Sequence, residues 1–381
     1  MKNIKHFLKE QTEGEGEKLK HIEHLEDHPI NDGAKGFQHA VGALQKVKQH
    51  IDMKHISPDL AMKHDGSPSI VYGHHPDTGK FFVASKSAFN KTPKINYTNA
   101  DIEKNHGHAP GLVDKLKSAL KHLPKISPKK GVFQGDVLYS EGDVKNEAGK
   151  VRFKPNTITY SAKENKFGLY THTEYRGNDS ASMNAHFDPD LSKFKNHSDV
   201  YHREPGHDTS KVSISPEEKE QYDHHLKSAM ALHTQHGHQM YGPIEKVKDH
   251  MKSYINTTVR TGEEPSPEGL QHHLIANYGK AIDKLKTPQS KNKKSEELKG
   301  HVNHVQVNQK HFENFLKLHR HLQVAKDSLV RSLSKHTGGL DHEIAGKKVK
   351  PEGFVINHEG RPTKLNDRHE FNKMNFLARN P

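Results

Sequence analysis

The spacing of hydrophobic residues predicts a helix near the start of the chain. After residue 33, hydrophobic side chains recur every three or four positions, as they do on one face of an α-helix. They are Phe37, Val41, Leu44, Val47 and Ile51. Residues 1–33 are polar, and Gly14 and Gly16 would interrupt a long helix there. We therefore predict a helical N-terminal arm over residues 1–56.

Short hydrophobic runs bounded by turn residues come next, and such runs are typical of β-strands. They are Ser69–Tyr72, Phe81–Ala84, Val132–Tyr139, Thr157–Tyr160 and Phe167–His172, and a helix is predicted at Leu112–Leu123. Near the end of the chain, strands are predicted again at Gly353–Ile356 and Thr363–Leu365. A strand-rich pattern with few helices predicts an α+β domain, formed by residues 57–178 together with 337–381.

Between these two groups of strands the pattern is helical. Residues 177–214 have few hydrophobic positions and are predicted to form a loop. A helix begins after Ser215, which is a good N-cap. Further predictions are helices near 243–258 and 268–285, a basic break at 286–297, and one long amphipathic helix from Leu298 to Leu333 that ends at Gly338 and Gly339. Residues 179–336 are therefore predicted to be a loop and helical insertion.

Composition narrows the class of protein. Of the 381 residues, 31% are hydrophobic. None is cysteine, and this excludes a disulfide scaffold, a Cys-ligated zinc site and a cysteine nucleophile. No hydrophobic run is long enough to span a membrane, and the charged N-terminus does not have the pattern of a secretory signal. We expect a cytoplasmic protein. Its formal net charge of +12 favours polyanionic partners, nucleic acid first.

Histidine is unusually frequent, with 35 residues spread along the chain. Some of them are close enough in sequence to bind a metal ion together. These are His301 with His304, and His233 with His236 and His238. The favoured alternative is that they are surface residues in a histidine-rich composition.

Several short motifs carry the candidate chemistry. Met62–Ser67 places Lys63, Asp65 and Gly66 directly before a predicted strand. The others, in chain order, are Phe82–Ser87 with Lys86, Phe133–Asp136, Phe167–Thr171, Glu352 with Gly353, and Lys364. In this order the motifs resemble those of the covalent nucleotidyltransferase superfamily, which comprises ATP-dependent DNA ligases, RNA ligases and mRNA capping enzymes. The sequences of the motifs are similar to those of bacteriophage members of the superfamily. For such a protein the host cytoplasm is the expected location.

The resemblance implies a nucleotidyltransferase fold and a role for each motif. The fold would be an ATP-grasp-like adenylation domain of antiparallel sheets with helices. Lys63 would take the nucleotide covalently, with Asp65 and Gly66 as its motif partners, and Lys86 and Lys364 would contact phosphate. Phe167 or Tyr170 would stack on the adenine, and Asp136 and Glu352 would hold Mg²⁺. Three positions depart from the family pattern: Lys86 replaces an arginine, Asp136 a glutamate and Asn366 a second lysine.

The chemistry explains these residue types. A lysine amine can attack the α-phosphate of ATP, expel pyrophosphate and hold AMP as a phosphoramidate. A free lysine has a pKa of about 10.4, so the site must favour the neutral amine. Mg²⁺ prefers oxygen ligands and neutralises charge on the phosphates.

The predicted function is an ATP-dependent polynucleotide ligase that joins 5′-phosphate to 3′-hydroxyl ends. RNA is the favoured substrate because only residues 366–381 follow Lys364 and Leu365, too few for the OB-fold domain of DNA ligases and capping enzymes. The alternatives are a nicked-DNA ligase, a protein adenylyltransferase, and a non-catalytic basic protein that binds nucleic acid or serves as a phage structural component.

Overall fold

The computed structural model of the chain describes residues 22–54, 56–63, 66–90, 92–147, 150–154, 159–163, 165–177, 183–186, 189–203, 206–336, 341–344 and 347–372. These residues form a mixed α+β structure with three β-sheets and a mostly helical segment. The predicted α+β class is therefore confirmed, and the assignment to a nucleotidyltransferase fold stays a prediction.

The α-helices of the described residues are α1 His28–Met53, α2 Asn99–His106, α3 Pro110–His122, α4 Pro216–Glu245, α5 Lys248–Thr261, α6 Pro267–Asp283, α7 Pro288–Val307 and α8 Gln309–Leu333. The strands are β1 Glu23–His24, β2 Ile56–Lys63, β3 Ser69–His74, β4 Phe81–Ala84, β5 Val132–Tyr139, β6 Lys145–Glu147, β7 Lys150–Phe153, β8 Thr159–Lys163, β9 Phe167–Arg176, β10 Asn184–His186, β11 Val200–Arg203, β12 Gly206–Asp208, β13 Asp341–Ile344, β14 Lys347–Lys348, β15 Gly353–His358 and β16 Arg361–Leu365. Helices α4–α8 make up the helical segment.

The first sheet has the strand order β1-β16-β15-β2-β12. One of its faces is hydrophobic and lies in the largest core of the protein, together with side chains from α1 and α4–α8. The residues of that face are Leu60, Met62, Phe354, Ile356 and Leu365. Because side chains alternate between the two faces of a strand, Lys63 and Lys364 lie on the opposite face.

The second sheet has the order β10-β9-β5-β3-β4, and β11 also pairs with β9. One face packs on α2 and α3 through a separate core that includes Tyr72, Leu116 and Phe133. The third sheet, β14-β13-β8-β7-β6, packs its aromatic residues Phe153 and Tyr160 near the end of β5. The chain crosses from the first sheet to the second directly after Lys63.

Buried charged residues connect the helical segment to the first sheet. Glu26, in the 3-10 helix Leu25–Asp27, accepts hydrogen bonds from Lys326 of α8 at 2.9 and 3.0 Å, and both side chains are fully buried. Arg368, three residues after β16, donates to both carboxylate oxygens of Asp27 at 3.1 Å. Burial would raise the pKa of Glu26, but the charges of Lys326 and Arg368 lower it to about 2.

Two helix boundaries differ from the prediction. The basic break predicted at 286–297 is instead the first half of α7, whose N-cap Thr287 accepts a hydrogen bond from the amide of Ser290. Pairs of lysine and glutamate three residues apart, such as Lys294 with Glu297, stabilise this polar helix, although it has almost no hydrophobic stripe. The long helix predicted from Leu298 to Leu333 is divided at Asn308, where α7 ends and α8 begins.

Other boundaries are close to the prediction. Ser215 caps α4 through a capping box with Glu218, as predicted. Strands β4 and β5 have the predicted limits.

The predicted loop at 177–214 contributes three short strands, β10, β11 and β12, and β12 pairs with β2 at the edge of the first sheet. Residues 1–21, Gly338 and Gly339 lie outside the described residues.

The predicted N-terminal arm is packed onto the rest of the protein. Helix α1 contacts α4 and α8 through residues that include Phe37 and Leu44, and β1 is the edge strand of the first sheet. In the part of the chain that the structure describes, no helix is both long and hydrophobic enough to cross a membrane.

Replacing Lys326 by methionine should lower the free energy of unfolding by about 3–5 kcal/mol, because it leaves the carboxylate of Glu26 buried without its main counter-charge. Denaturant unfolding measures this change. The matched control is Lys299→Met, because Lys299 pairs with Glu296 at the exposed surface, where the expected loss is below about 1 kcal/mol. Equal losses in the two variants would contradict the stabilising role of the buried charges.

Candidate functional site

Strand pairing brings three of the predicted residues together in the first sheet. Lys63 is the last residue of β2 and lies opposite Gly353 of β15. Val355 of β15 lies opposite Lys364 of β16. Residues opposite each other in antiparallel strands share a face, so both lysines project from the face that does not contact the helical core. Glu352 immediately precedes Gly353.

An ion pair joins the predicted nucleophile to the predicted metal ligand. The Nζ atom of Lys63 donates a hydrogen bond to Oε1 of Glu352. The carboxylate is almost fully buried, with 6% of the side chain exposed, whereas 26% of the Lys63 side chain is exposed. A buried carboxylate needs a counter-charge, and in this structure the lysine supplies it.

Lys364 adds a second positive charge beside Lys63. Burial lowers the pKa of Lys364, and the nearby charge of Lys63 lowers it further, while Glu352 opposes the shift. The two lysines are therefore close enough to repel each other. An anionic ligand on this face would relieve that repulsion.

Asp136 faces the same lysine from the second sheet. Burial would raise the pKa of Asp136, but the adjacent His172, the hydroxyl of Ser69 and the charge of Lys63 together lower it below its usual value. The Nε2 atom of His172 is 3.6 Å from Oδ1 of Asp136. Gly66, three residues after Lys63, packs against Cβ of Asp136 and so brings the two sheets together at this point.

His172 is a site residue that the sequence analysis did not identify. On β9, Thr173 lies opposite Gln134 and Thr171 opposite Gly135, so the pairing of β9 with β5 skips His172. Such an extra residue is a β-bulge, which redirects a side chain. Residues two apart on a strand share a face, so His172 lies on the face that carries Tyr170 and Asp136. The alternation along the predicted strand Phe167–His172 is the signal that could have found it.

The two candidate aromatic residues lie on opposite faces of the second sheet. Tyr170 is opposite Asp136 and therefore shares its face, although it is buried beside Tyr201. Phe167 is fully buried in the core next to α3, where its ring stacks on His122 at 6.2 Å between ring centroids. The structure does not bring Phe167 to the site, so Tyr170 is the aromatic candidate that remains.

The glycine of the first motif fits closely against β5. A Cβ atom on Gly66 would be 2.8 Å from Cβ of Asp136, so the turn after Lys63 tolerates no side chain there. The amide of Ser67 donates to the carbonyl of Val137 at 2.9 Å and fixes this approach. Asp65 lies outside the described residues.

Lys86 is exposed in the 3-10 helix Lys86–Phe89 that follows β4. Ala84 of β4 is opposite Val71 of β3, so Lys86 lies at the end of the sheet where Ser69 also lies. Asp136 lies at the same end of the sheet. Among the described residues, Lys86 contacts none of the other site residues.

Gly353 allows a close approach between β15 and the residue after β16. Its φ of +155° is rare for residues with a side chain. A Cβ atom there would be 2.5 Å from Oδ1 of Asn366 and 2.7 Å from the carbonyl oxygen of Leu365. The side chain of Asn366 therefore occupies the space that a side chain at position 353 would need.

The donor set at this site fits a hard cation. Asp136 and Glu352 offer carboxylate oxygens, and Mg²⁺ commonly uses one or two carboxylates and completes its shell with water and phosphate. Asn366 adds a buried side-chain oxygen, Oδ1, that accepts no hydrogen bond from the residues described. These residues could hold Mg²⁺.

The histidine groups considered from the sequence do not converge on a metal site. His301 forms a hydrogen bond of 2.9 Å with the hydroxyl of Tyr278, and His304 one of 2.9 Å with the carbonyl of Pro243. Across the described ranges, no group of three or more histidine, aspartate or glutamate residues has the arrangement of a metal site.

Comparison with known proteins gives a family without a known function. The chain matches the family of unknown function DUF6267 over residues 19–380. No curated protein and no solved structure matches the chain significantly. The match includes the strands of the candidate site as well as the helical segment.

Replacing Gly353 by alanine should destabilise the protein by about 1–3 kcal/mol or more, because the new Cβ atom clashes with backbone and with Asn366. Thermal or denaturant unfolding measures the loss. Gly360→Ala is the matched control, since Gly360 lies in the turn of the same hairpin at φ +75° with open space around it. A loss no larger than that of the control would show that the space at position 353 is not restricted.

Proposed function

We propose that this chain, which belongs to the DUF6267 family, is an ATP-dependent nucleotidyltransferase that acts through a covalent bond between Lys63 and AMP. One observation carries the proposal. Residues from distant parts of the sequence converge at the end of β2: Lys63 contacts Glu352, has Lys364 beside it, and faces Asp136 of the other sheet. Of the alternatives drawn from the sequence, the non-catalytic basic protein gives these four residues no role.

Lys63 would act as the nucleophile. Its nitrogen forms a bond to the α-phosphorus of ATP, the bond from that phosphorus to the bridging oxygen breaks, and pyrophosphate leaves with the electron pair. The amine must lose a proton, and Oε1 of Glu352 already accepts a hydrogen bond from Nζ. With Glu352 holding Mg²⁺, that proton passes to water.

The surrounding charges would bind and orient the phosphates. Lys364 has a lowered pKa because it is partly buried near Lys63, and a triphosphate would add negative charge beside both lysines. Asp136 and Glu352 would hold Mg²⁺, which neutralises charge that develops on the phosphates. His172 would restrict the orientation of the Asp136 carboxylate.

We further propose that AMP passes to the 5′-phosphate of a polynucleotide, which a 3′-hydroxyl then attacks to form a phosphodiester bond. The net charge of +12 supports a polynucleotide over a small acceptor. RNA ends remain the favoured substrate and nicked DNA the alternative.

Incubation with Mg²⁺ and α-labelled ATP should leave label on the protein after denaturation. Lys63→Ala should abolish the label, and Lys364→Ala should slow labelling by about 10²- to 10³-fold, because it removes one positive charge from the phosphates. The matched control is Lys80→Ala, which removes an exposed lysine from the turn between β3 and β4 and should label normally. A denaturing gel provides the measurement.

The acceptor is identified by adding 5′-phosphorylated RNA, nicked duplex DNA or a polypeptide to the labelled protein. Transfer to RNA with joining of the ends supports the ligase, and transfer to nicked DNA supports the alternative substrate. Transfer to polypeptide alone would favour protein adenylylation. A folded protein that binds nucleic acid but takes no label would contradict the enzymatic function.

A further inference from the structure

The end of α6 and the first part of α7 are strongly basic. Residues 280–299 contain seven lysines and three acidic residues. In the rest of the helical segment, from residue 216 to residue 333, eleven basic residues are balanced by eleven acidic ones. The whole positive excess of the segment therefore lies in residues 280–299, which we call the basic hairpin. It contributes four of the twelve net positive charges of the chain.

The basic hairpin projects from the hydrophobic core. Tyr278 of α6 and Val305 of α7 are buried, and no residue between them is. The two helices pack against each other, and the chain reverses direction in the short turn that joins them. Only partly buried side chains, such as Ile282 and Leu298, attach this stretch to the core. The lysines of the hairpin are therefore presented to solvent.

Contacts between the two helices hold the hairpin in one shape. The Nζ atom of Lys294 lies 4.6 Å from the centre of the Tyr278 ring, a cation–π contact. The hydroxyl of Tyr278 donates a hydrogen bond to Glu297 at 2.7 Å. Lys294 also pairs with Glu297, and Lys299 pairs with Glu296. Both glutamates of the hairpin are thus already paired with lysines.

The other five lysines of the hairpin are exposed and form no ion pair with the residues that the structure describes. They are Lys280, Lys284, Lys286, Lys291 and Lys293. Lys280 and Lys284 are one helical turn apart on α6, about 6 Å along its axis. Lys291 and Lys293 lie near the start of α7, across the turn that carries Lys286. Like charges at such spacing repel each other, and a partner with several negative charges would relieve the repulsion.

The chemistry of this surface fits the backbone of a nucleic acid. A lysine ammonium is a point charge that contacts phosphate, and phosphate contacts do not read base sequence. Residues 280–299 include no aromatic residue on which a base could stack. They also include no exposed large hydrophobic residue for insertion into a membrane, since the nearest two, Ile275 and Val307, lie outside the hairpin. A polynucleotide presents closely spaced phosphates, and neutralising them with lysines releases counterions.

We propose that the basic hairpin binds the phosphate backbone of a polynucleotide, irrespective of base sequence, at a surface separate from the candidate site. The helical segment packs on the face of the first sheet opposite Lys63, so the lysines of the hairpin do not belong to the group around Lys63. The proposal rests on the proposed function for its purpose, which is to retain the polynucleotide substrate on the enzyme.

Fluorescence anisotropy of the full chain with a labelled, 5′-phosphorylated single-stranded RNA, in the absence of ATP, tests this surface. A hairpin variant with four lysines replaced by glutamine should bind the RNA about tenfold or more weakly at about 0.1 M salt. The slope of the logarithm of the association constant against the logarithm of the salt concentration should become less steep by up to about 3, because each phosphate contact contributes about 0.7. The substitutions are Lys284→Gln, Lys286→Gln, Lys291→Gln and Lys293→Gln.

The matched control variant removes the same number of positive charges from exposed lysines elsewhere in the helical segment. It should bind the RNA nearly as the unmodified chain does, with nearly the same salt dependence. Glutamine is a good helix former, so both variants should fold, and thermal unfolding checks this. The control substitutions are Lys227→Gln, Lys246→Gln, Lys248→Gln and Lys317→Gln.

Equal RNA affinity and equal salt dependence in the hairpin and control variants would overturn the proposal. Binding to vesicles that contain phosphatidylserine, lost in the hairpin variant while its RNA affinity is unchanged, would overturn it as well. Labelling of Lys63 by ATP needs no polynucleotide, so the two proposals fail separately. Label on Lys63 together with unchanged RNA binding in the hairpin variant rejects the hairpin surface alone. The expected loss of RNA binding, with no label on the unmodified chain, rejects the nucleotidyltransferase activity alone.

Discussion

The pairing of β2 with β15 is the constraint on which the candidate site depends. It places Lys63 opposite Gly353, and so brings the end of an early strand to the start of a late one. Glu352 and Lys364 reach Lys63 only through this pairing and that of β15 with β16. Because the opposite face of the same strands is hydrophobic and buried, a shift of one residue would turn that face to solvent. Core packing therefore fixes the register that assembles the charged residues.

The helical segment contributes to this arrangement through buried charges. Lys326 of α8 binds Glu26, and Arg368 binds Asp27 only four residues beyond Lys364. Removing a single member would leave a buried charge unpaired, so the helices and the end of the first sheet are held in one relative position. The C-terminal end of α8 also borders a small cleft beside Glu352, lined in part by Arg331 and Ser334. The helical segment thus supports the sheet that carries the candidate site.

Local patterns predicted the strands better than the polar helices. The limits of β4 and β5 follow from hydrophobic runs with turn residues on both sides, and Ser215 marked the start of α4. Helix α7 was missed because capping and lysine–glutamate pairs stabilise it in place of a hydrophobic stripe. The order of motifs anticipated that Lys63, Asp136, Glu352 and Lys364 would meet. The approach of Asn366 to Gly353 could not be anticipated, since it arises from a pairing between strands far apart in sequence. His172, in contrast, shares a face with Tyr170 by ordinary alternation along β9.

The proposed function requires that the amine of Lys63, and not that of another lysine, forms the bond to AMP. Mass spectrometry of the intact full-length chain after incubation with ATP and Mg²⁺, followed by peptide mapping under conditions that preserve phosphoramidates, tests this claim most directly. We expect an added mass of one AMP, located on the peptide that contains Lys63. An unmodified mass, or AMP on a lysine outside the first sheet, would contradict the account.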